Sequence, residues 1–281
     1  MIKITSDSTC DLTPDMLSAM DITLLPMYIL SGDKVFRDGV DMTPAELFRI
    51  ADTTGKLCKT SALNIEDYQR FFSEFSPRYE AVIHLNLGLG FSVCYQNAVI
   101  AAQDFPNVYV VDSRNLSTGH GYLVRDAARK AKEGKSAPEI CAELERDALL
   151  MDASFVIDRM DYLHLGGRCS GLEAIGARLL NIKPCIEVAD GKMRVGKKYR
   201  GRFEDCLERY VKDRLYQNDN IDLKRLFITH PMCSEGTVAR VREAVAQYAS
   251  FEEVVETRAG CSISNHCGPN TLGIIYKRRT G

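Results

Sequence analysis

The sequence predicts an α/β protein of two domains. An N-terminal α/β domain with a parallel sheet spans residues 1–151, and a C-terminal α+β domain with a mixed or antiparallel sheet spans 152–281. Three observations predict this. The chain has 281 residues, which at roughly 150 residues per domain suggests two. Strand-like and helix-like segments alternate through the first half, the pattern of a parallel sheet covered by helices. The second half carries a hairpin signal at Asp190-Gly191, a dipeptide suited to a type I′ turn and hence to antiparallel pairing.

Each element has a local reason. Ile2–Ser6 reads as a strand, and Thr13-Pro14-Asp15 opens a helix with Thr as N-cap and Pro in the first turn. Ile22–Leu30 is again extended. Thr43-Pro44-Ala45-Glu46 is a capping box that starts a helix running to about Ala51. Ala81–Leu87 and Val108–Val111 are short apolar strands flanking a helix from Ser92 to about Gln103, and Ser136-Ala137-Pro138-Glu139 caps a helix that runs to Leu150. Beyond a boundary near Met151–Ser154, strands fit Phe155–Arg159, Pro184–Val188, Lys192–Arg194, Leu226–Thr229, Glu253–Thr257 and Thr271–Tyr276. Helices fit Gly171–Leu180, Glu204–Tyr216 and Glu235–Ala249.

Composition narrows the function classes. With 45% hydrophobic and 26% charged residues the chain is globular, and a net charge of −2 gives no global attraction to nucleic acid. Residues 1–150 hold 15 basic against 21 acidic side chains, and the remainder 21 against 17, so the second half is the basic one. The N-terminus lacks the apolar core of an export signal, and no run of about eighteen apolar residues would span a membrane. Ten scattered cysteines without a C-x-x-C pair exclude zinc ribbons and thioredoxin chemistry and read as reduced, mostly buried thiols. The expected location is cytoplasmic.

Two stretches, 81–103 and 259–276, contain no Asp, Glu, Lys or Arg. In a chain so rich in charge this predicts burial, and the polar groups inside each stretch then need partners, of which a ligand is one. The first contains Ser92, after Gly88-Leu89-Gly90-Phe91, and the second contains His266. A plain helix-capping serine and a satisfied core histidine are the ordinary explanations; an anion received by the helix start at Ser92, and a ligand partner for His266, are the sharper ones. Gly90-Phe91-Ser92-Val93-Cys94 also falls one residue short of the G-x-S-x-G elbow, so a serine hydrolase using Ser92 and His266 is the alternative, weakened by Cys94 in place of the last glycine and by the lack of an evident third acid. Asp7-Ser8-Thr9-Cys10-Asp11 is best read as an Asx-capped turn. A basic cluster, Lys192, Arg194, Lys197, Lys198, Arg200 and Arg202, is a solvated hairpin, a docking surface for an acidic partner or a site for anionic lipid head groups; with only Tyr199 and Phe203 as interleaved aromatics, nucleic acid is the least favoured.

Taken together, these residues resemble the DegV family of fatty-acid-binding proteins over nearly the whole chain. The resemblance rests on Ile4-Thr5-Ser6-Asp7-Ser8-Thr9-Cys10-Asp11-Leu12, Lys59-Thr60-Ser61, Ser92-Val93-Cys94-Tyr95-Gln96-Asn97-Ala98, Val111-Asp112-Ser113, Leu165-Gly166-Gly167-Arg168, Leu179–Pro184 with Asp190-Gly191, and His266-Cys267-Gly268-Pro269-Asn270-Thr271-Leu272-Gly273. Departures are Ala62-Leu63-Asn64 for the family's Gln-Pro-Ser, Val93-Cys94 for Gly-Thr, and Asn270 for Gly. The resemblance implies one long-chain fatty acid held between the domains. It implies that Thr60, Ser92 and His266 hold the carboxylate, with Ser61 beside them. It further implies a carrier with no cofactor and no catalytic residue of its own, presenting the carboxylate to the ATP-binding subunit of a bacterial fatty acid kinase, which makes an acyl phosphate for phospholipid synthesis. Arg200 and Arg202 are the leading docking residues for that partner.

Overall fold

The computed structural model describes residues 1–167, 169–170 and 182–279. The expected helix over Gly171–Leu180, and Arg168 of the Gly-Gly-Arg turn, lie outside the described residues.

The chain opens with β1 (Ile2–Asp7), buried along nearly its whole length, and turns through a short 3₁₀ segment, Ser8–Cys10, that Asp7 caps by accepting the Thr9 amide. The Asx-capped turn expected there is therefore present. Thr13 caps α1 (Pro14–Ala19), after which β2 (Ile22–Leu25) runs parallel to β1. The single extended run expected from Ile22 to Leu30 is instead two strands. Pro26 has no N–H to continue a ladder, and β3 (Tyr28–Ser31) departs to pair antiparallel with β4 (Lys34–Arg37) and β5 (Lys59–Ser61) in a small second sheet. Between them α2 (Pro44–Thr54) begins on the Thr43–Glu46 capping box. A second box, Asn64 with Asp67, starts α3 (Ile65–Phe75). β6 (Ala81–Asn86), α4 (Cys94–Ala102) and β7 (Val108–Asp112) complete a parallel sheet of order β2-β1-β6-β7. α5 (Ser117–Lys132) and α6 (Ala137–Leu150) pack Leu123, Ala127, Ile140 and Leu144 against Ile4, Ile83 and Leu85 of that sheet.

The strands from Met151 onward build a third, mixed sheet. β8 (Met151–Ile157) is followed by α7 (Met160–Gly166), β9 (Cys169–Ser170), and the hairpin of β10 (Ile182–Ala189) and β11 (Lys192–Arg200). Asp190 and Gly191 sit at φ 52° and 72°, the positive values that a type I′ turn requires. Then come α8 (Phe203–Leu215), β12 (Ile221–His230), α9 (Glu235–Tyr248), β13 (Glu253–Arg258), α10 (Cys261–Cys267) and β14 (Thr271–Arg278). The sheet order is β13-β12-β14-β8-β10-β11-β9, antiparallel except at β12–β13 and β11–β9. α8 and α9 cover one face. There the Tyr210 hydroxyl hydrogen-bonds Ser154 Oγ at 2.8 Å and accepts the Ile274 amide at 3.0 Å, pinning α8 to β8 and β14. Phe227, Val255 and Ile275 of the mixed sheet share one apolar cluster with Ile4 and Tyr122, so core packing continues from one half into the other.

One expectation holds only in part. The charge-free stretch 81–103 is buried along β6 and on the Cys94, Ala98 and Ala101 face of α4, but Val93, just before the helix, and Ile100 on it are exposed. Absence of charge there marks an uncharged surface as well as a core.

His84 on β6 gives the fold a pH dependence. Its ring is fully buried among Tyr68, Phe71 and Phe72, and its Nδ1 shares a 2.9 Å hydrogen bond with Thr5 Oγ1. Burial pushes its pKa down to about 3, against an opposing pull from Asp7 and with a small assist from His120. The fold therefore holds His84 neutral, whereas the unfolded chain protonates it near pH 6.5. The stability this confers is complete above that value and is lost as pH falls toward 3, amounting to about 2 kcal/mol by pH 5. In urea denaturation at pH 7 and pH 5, His84→Phe should lose less stability on acidification than the parent, by about that amount. Equal losses would remove His84 from the account.

Candidate functional site

A cavity of about 380 Å³ lies between the two halves. It falls in the lower part of the range of roughly 300–1,000 Å³ typical of small-molecule sites. Its walls are mainly apolar: Leu87, Phe91, Leu116, Phe155, Leu163, Met193 and Ile263. Its polar groups are Thr9, Thr60, Ser92, Ser262 and His266, and none of the described lining residues carries a formal charge.

Each polar group is placed by a different element. Thr60 is the middle residue of β5, paired with Ile29. His266 lies on α10, and its Nε2 shares a 2.9 Å hydrogen bond with Thr60 Oγ1 across 206 residues of sequence. Ser92 stands just before α4, where its Oγ accepts the Cys94 amide at 3.2 Å and donates to Cys94 Sγ at 3.1 Å. Ser92 therefore lines the cavity, but it is not the cap of α4: the N-cap position is Val93 and carries no side-chain cap bond. Ser61, next to Thr60 on the strand, turns to the other face, as alternate residues must, and donates to the Ala62 carbonyl. The turn before Ser92 fits closely under the β10–β11 hairpin. A Cβ at Gly90 would lie 2.0 Å from the Gly191 carbonyl oxygen, so only glycine lets the hairpin tip close over this end of the cavity.

Three buried carboxylates hold this frame in register. Asp7 accepts the Thr9 hydroxyl at 2.5 Å and the Leu87 amide at 2.7 Å, fixing two cavity walls at once. Asp38 accepts the amides of Cys261 (2.7 Å) and Ser262 (3.1 Å) and the Ser8 hydroxyl (3.0 Å). Asp11 accepts the Gly260 amide at 2.8 Å and the Ser117 hydroxyl at 2.5 Å. Asp38 and Asp11 therefore cap the start of the helix that carries His266, satisfying amides which would otherwise be orphaned. Burial pushes the Asp11 pKa up to about 8, with smaller contributions from Asp38 and Asp7, against the pull of the bonds it accepts from Gly260 and Ser117. Thr9 is legible only as part of the Asp7–Asp11 turn, and Asp38 is not singled out by the sequence. The only available signal was an acid inside the glycine-flanked Arg37-Asp38-Gly39 turn, which is an ordinary surface pattern.

The arrangement is a poor fit to a serine hydrolase. A triad needs the imidazole on the nucleophile, but His266 Nε2 is engaged by Thr60 and the Ser92 hydroxyl by Cys94. Arg200 and Arg202 stand apart from the cavity. Both are exposed, near the end of β11 away from the turn, with Arg200 seven residues beyond the cavity-lining Met193, or roughly 23 Å along a strand. Among the described residues no group of three or more His, Cys, Asp or Glu could hold a metal ion, and no helix is long and apolar enough to cross a membrane.

Fold and cavity define the class: an α/β protein with a parallel and a mixed sheet and a largely apolar cavity where the two halves meet. The chain belongs to the DegV family, whose model, described as an uncharacterised protein of that family, matches residues 1–279. A DegV domain-containing protein of Caldanaerobacter subterraneus subsp. tengcongensis is 30% identical over 282 residues, covering 99% of each chain. Among solved structures, a DegV family protein from Thermus thermophilus, described by its fatty acid binding, superposes with a TM-score of 0.90 at 28% identity over 99% of each chain. A stearic-acid-binding protein from Eubacterium ventriosum superposes at 0.83 with 25% identity, over 99% of this chain and 98% of its own.

Proposed function

We propose that this protein carries one long-chain fatty acid in the cavity, with the carboxylate at Thr60, Ser92 and His266, and presents it to a separate ATP-dependent kinase subunit that forms the acyl phosphate. The observation that carries the reading is an apolar cavity whose uncharged polar groups include a hydroxyl–imidazole pair and a helix-start serine. End-to-end similarity to proteins described as binding fatty acids supports it. The energetics divide naturally. Each buried methylene contributes about 0.8 kcal/mol, so a dozen supply roughly 10 kcal/mol and dominate affinity. Hydrogen bonds to the charged carboxylate add about 1.5–3 kcal/mol each and set which end of the lipid faces Thr60 and His266. Ser61 supports this end from the opposite face of β5. The carrier needs no cofactor of its own, since ATP arrives with the partner, and it works in the cytoplasm.

The docking surface is assigned to the basic end of β11. Arg200 makes no side-chain ion pair among the described residues, and Arg202 has only the exposed Asp205 at 3.4 Å, so both charges are available to an acidic partner. Rim charges act mainly on association rate and are screened by salt. Arg200→Ala with Arg202→Ala should leave lipid retention unchanged and lower acyl-phosphate formation by the kinase subunit roughly three- to tenfold at low ionic strength, the difference shrinking as salt is added. Unchanged turnover at every ionic strength would place the partner elsewhere.

A further inference from the structure

We infer that Phe155 and Ile263 form a partition that sets the length of the acyl chain, with a small chamber behind them that the chain does not enter while they are in place. This rests on the fatty-acid reading above. A second cavity, of about 40 Å³, adjoins the main one, and the two share Leu116, Phe155, Ile263 and Cys267 as wall. Leu116 and Cys267 are buried in the core, but Phe155 and Ile263 are only half-buried. They are the two shared residues most open to a ligand. Beyond them the chamber is lined mainly by apolar groups, including Ala153, Val188 and Ile275, with Ser117, Ser154, Thr229, His230 and Thr271 as its polar residues. Such a lining holds water poorly and suits a methyl terminus.

The backbone fixes the partition's position. Phe155 on β8 is paired with Gly273 on β14. A Cβ at 273 would stand 2.9 Å from the Phe155 Cβ and 2.6 Å from the Ser154 carbonyl oxygen, so glycine is what lets β14 pass this close beneath the phenylalanine. Ile263 comes from α10, the same short helix that carries His266. The helix therefore bears both a head-group contact and part of the wall shared with the chamber. Removing the Phe155 ring would join the chamber to the main cavity and free the ring's own volume. Each additional methylene buried there multiplies retention roughly fourfold.

The test offers delipidated protein an equimolar mixture of saturated fatty acids of about 14 to 22 carbons and reads the bound species by native mass spectrometry, for the parent, Phe155→Ala and Ile263→Ala. Phe155→Ala should move the preferred chain at least two carbons longer, enriching that species over the parent's preferred one by roughly fifteenfold. Ile263→Ala should shift it in the same direction by less, and serves as the test if Phe155→Ala does not fold. A parent and variants with the same length profile would overturn the partition while leaving the lipid reading intact. A parent that binds none of the acids would overturn the lipid reading itself, and the partition with it.

Discussion

Replacing His266 with alanine is expected to lower fatty-acid retention by roughly ten- to a hundredfold, and Ser92→Ala by a similar factor. The reasoning is local. His266 Nε2 and Thr60 Oγ1 are 2.9 Å apart and hydrogen-bonded to each other, so a carboxylate arriving at this end meets a hydroxyl whose orientation the imidazole already fixes. Removing the imidazole also leaves Thr60 Oγ1 without its partner. Ser92 contributes from another element, its hydroxyl bonding within its own turn to Cys94 until a better acceptor appears. The lost interaction is charge-assisted, hence the factor per residue rather than a few-fold effect. Both variants should unfold at nearly the parental temperature, because neither side chain is a core group. Dissociation rates of a radiolabelled fatty acid measure the effect, and parental rates in both variants would move the head group away from this end of the cavity.

Asp38→Ala is expected to have the largest effect on stability. Its two oxygens receive three donors: the amides of Cys261 and Ser262 and the Ser8 hydroxyl. Asp38 is 3% exposed, so water cannot replace the carboxylate. Leaving buried donors unpaired costs about 1–3 kcal/mol each, and with partial relaxation the total is about 3–5 kcal/mol. For a chain of this size that corresponds to a fall in Tm of about 5–8 °C. Retention should fall as well, because the start of α10 loses its anchor and His266 moves with it. Asp38→Asn keeps one acceptor and should lie between parent and alanine variant in both measures. A parental Tm in Asp38→Ala would show that the helix start is held by other groups.

Much of the scaffold is legible in the sequence for reasons that are local. The capping box at Thr43 and Glu46, that at Ser136 and Glu139, and the Asp190-Gly191 turn are determined by neighbours a few residues apart, and each stands where expected. What the sequence hides is set by distant partners. Thr60 sits in a three-residue strand of ordinary composition and gains meaning only from an imidazole 206 positions away; it entered through family resemblance, not through its own pattern. Asp38 looks like a turn acid until α10, 223 residues on, is placed against it. The small second sheet escaped notice because its strands are three or four residues long and Lys34 and Val35 are exposed, leaving no alternation to read. α5 escaped because its first turns, Ser117-Thr118-Gly119-His120, carry polar side chains that are nonetheless buried, bonded to Asp11, Thr229 and Ser6. Ser92 and His266 were legible because their charge-free surroundings are uncommon, although the same cue misjudged the exposed side of α4.

The central claim is that the cavity holds one fatty acid by its carboxylate. Native mass spectrometry of the protein after mild purification, repeated after organic extraction and denaturation, tests it most directly. The account predicts a species heavier than the chain by a single long-chain fatty acid, which disappears on extraction and returns at one equivalent when the acid is added back. A protein that shows only the mass of the chain, takes up no fatty acid when delipidated, and is labelled at Ser92 by a fluorophosphonate would contradict it and point to hydrolysis instead.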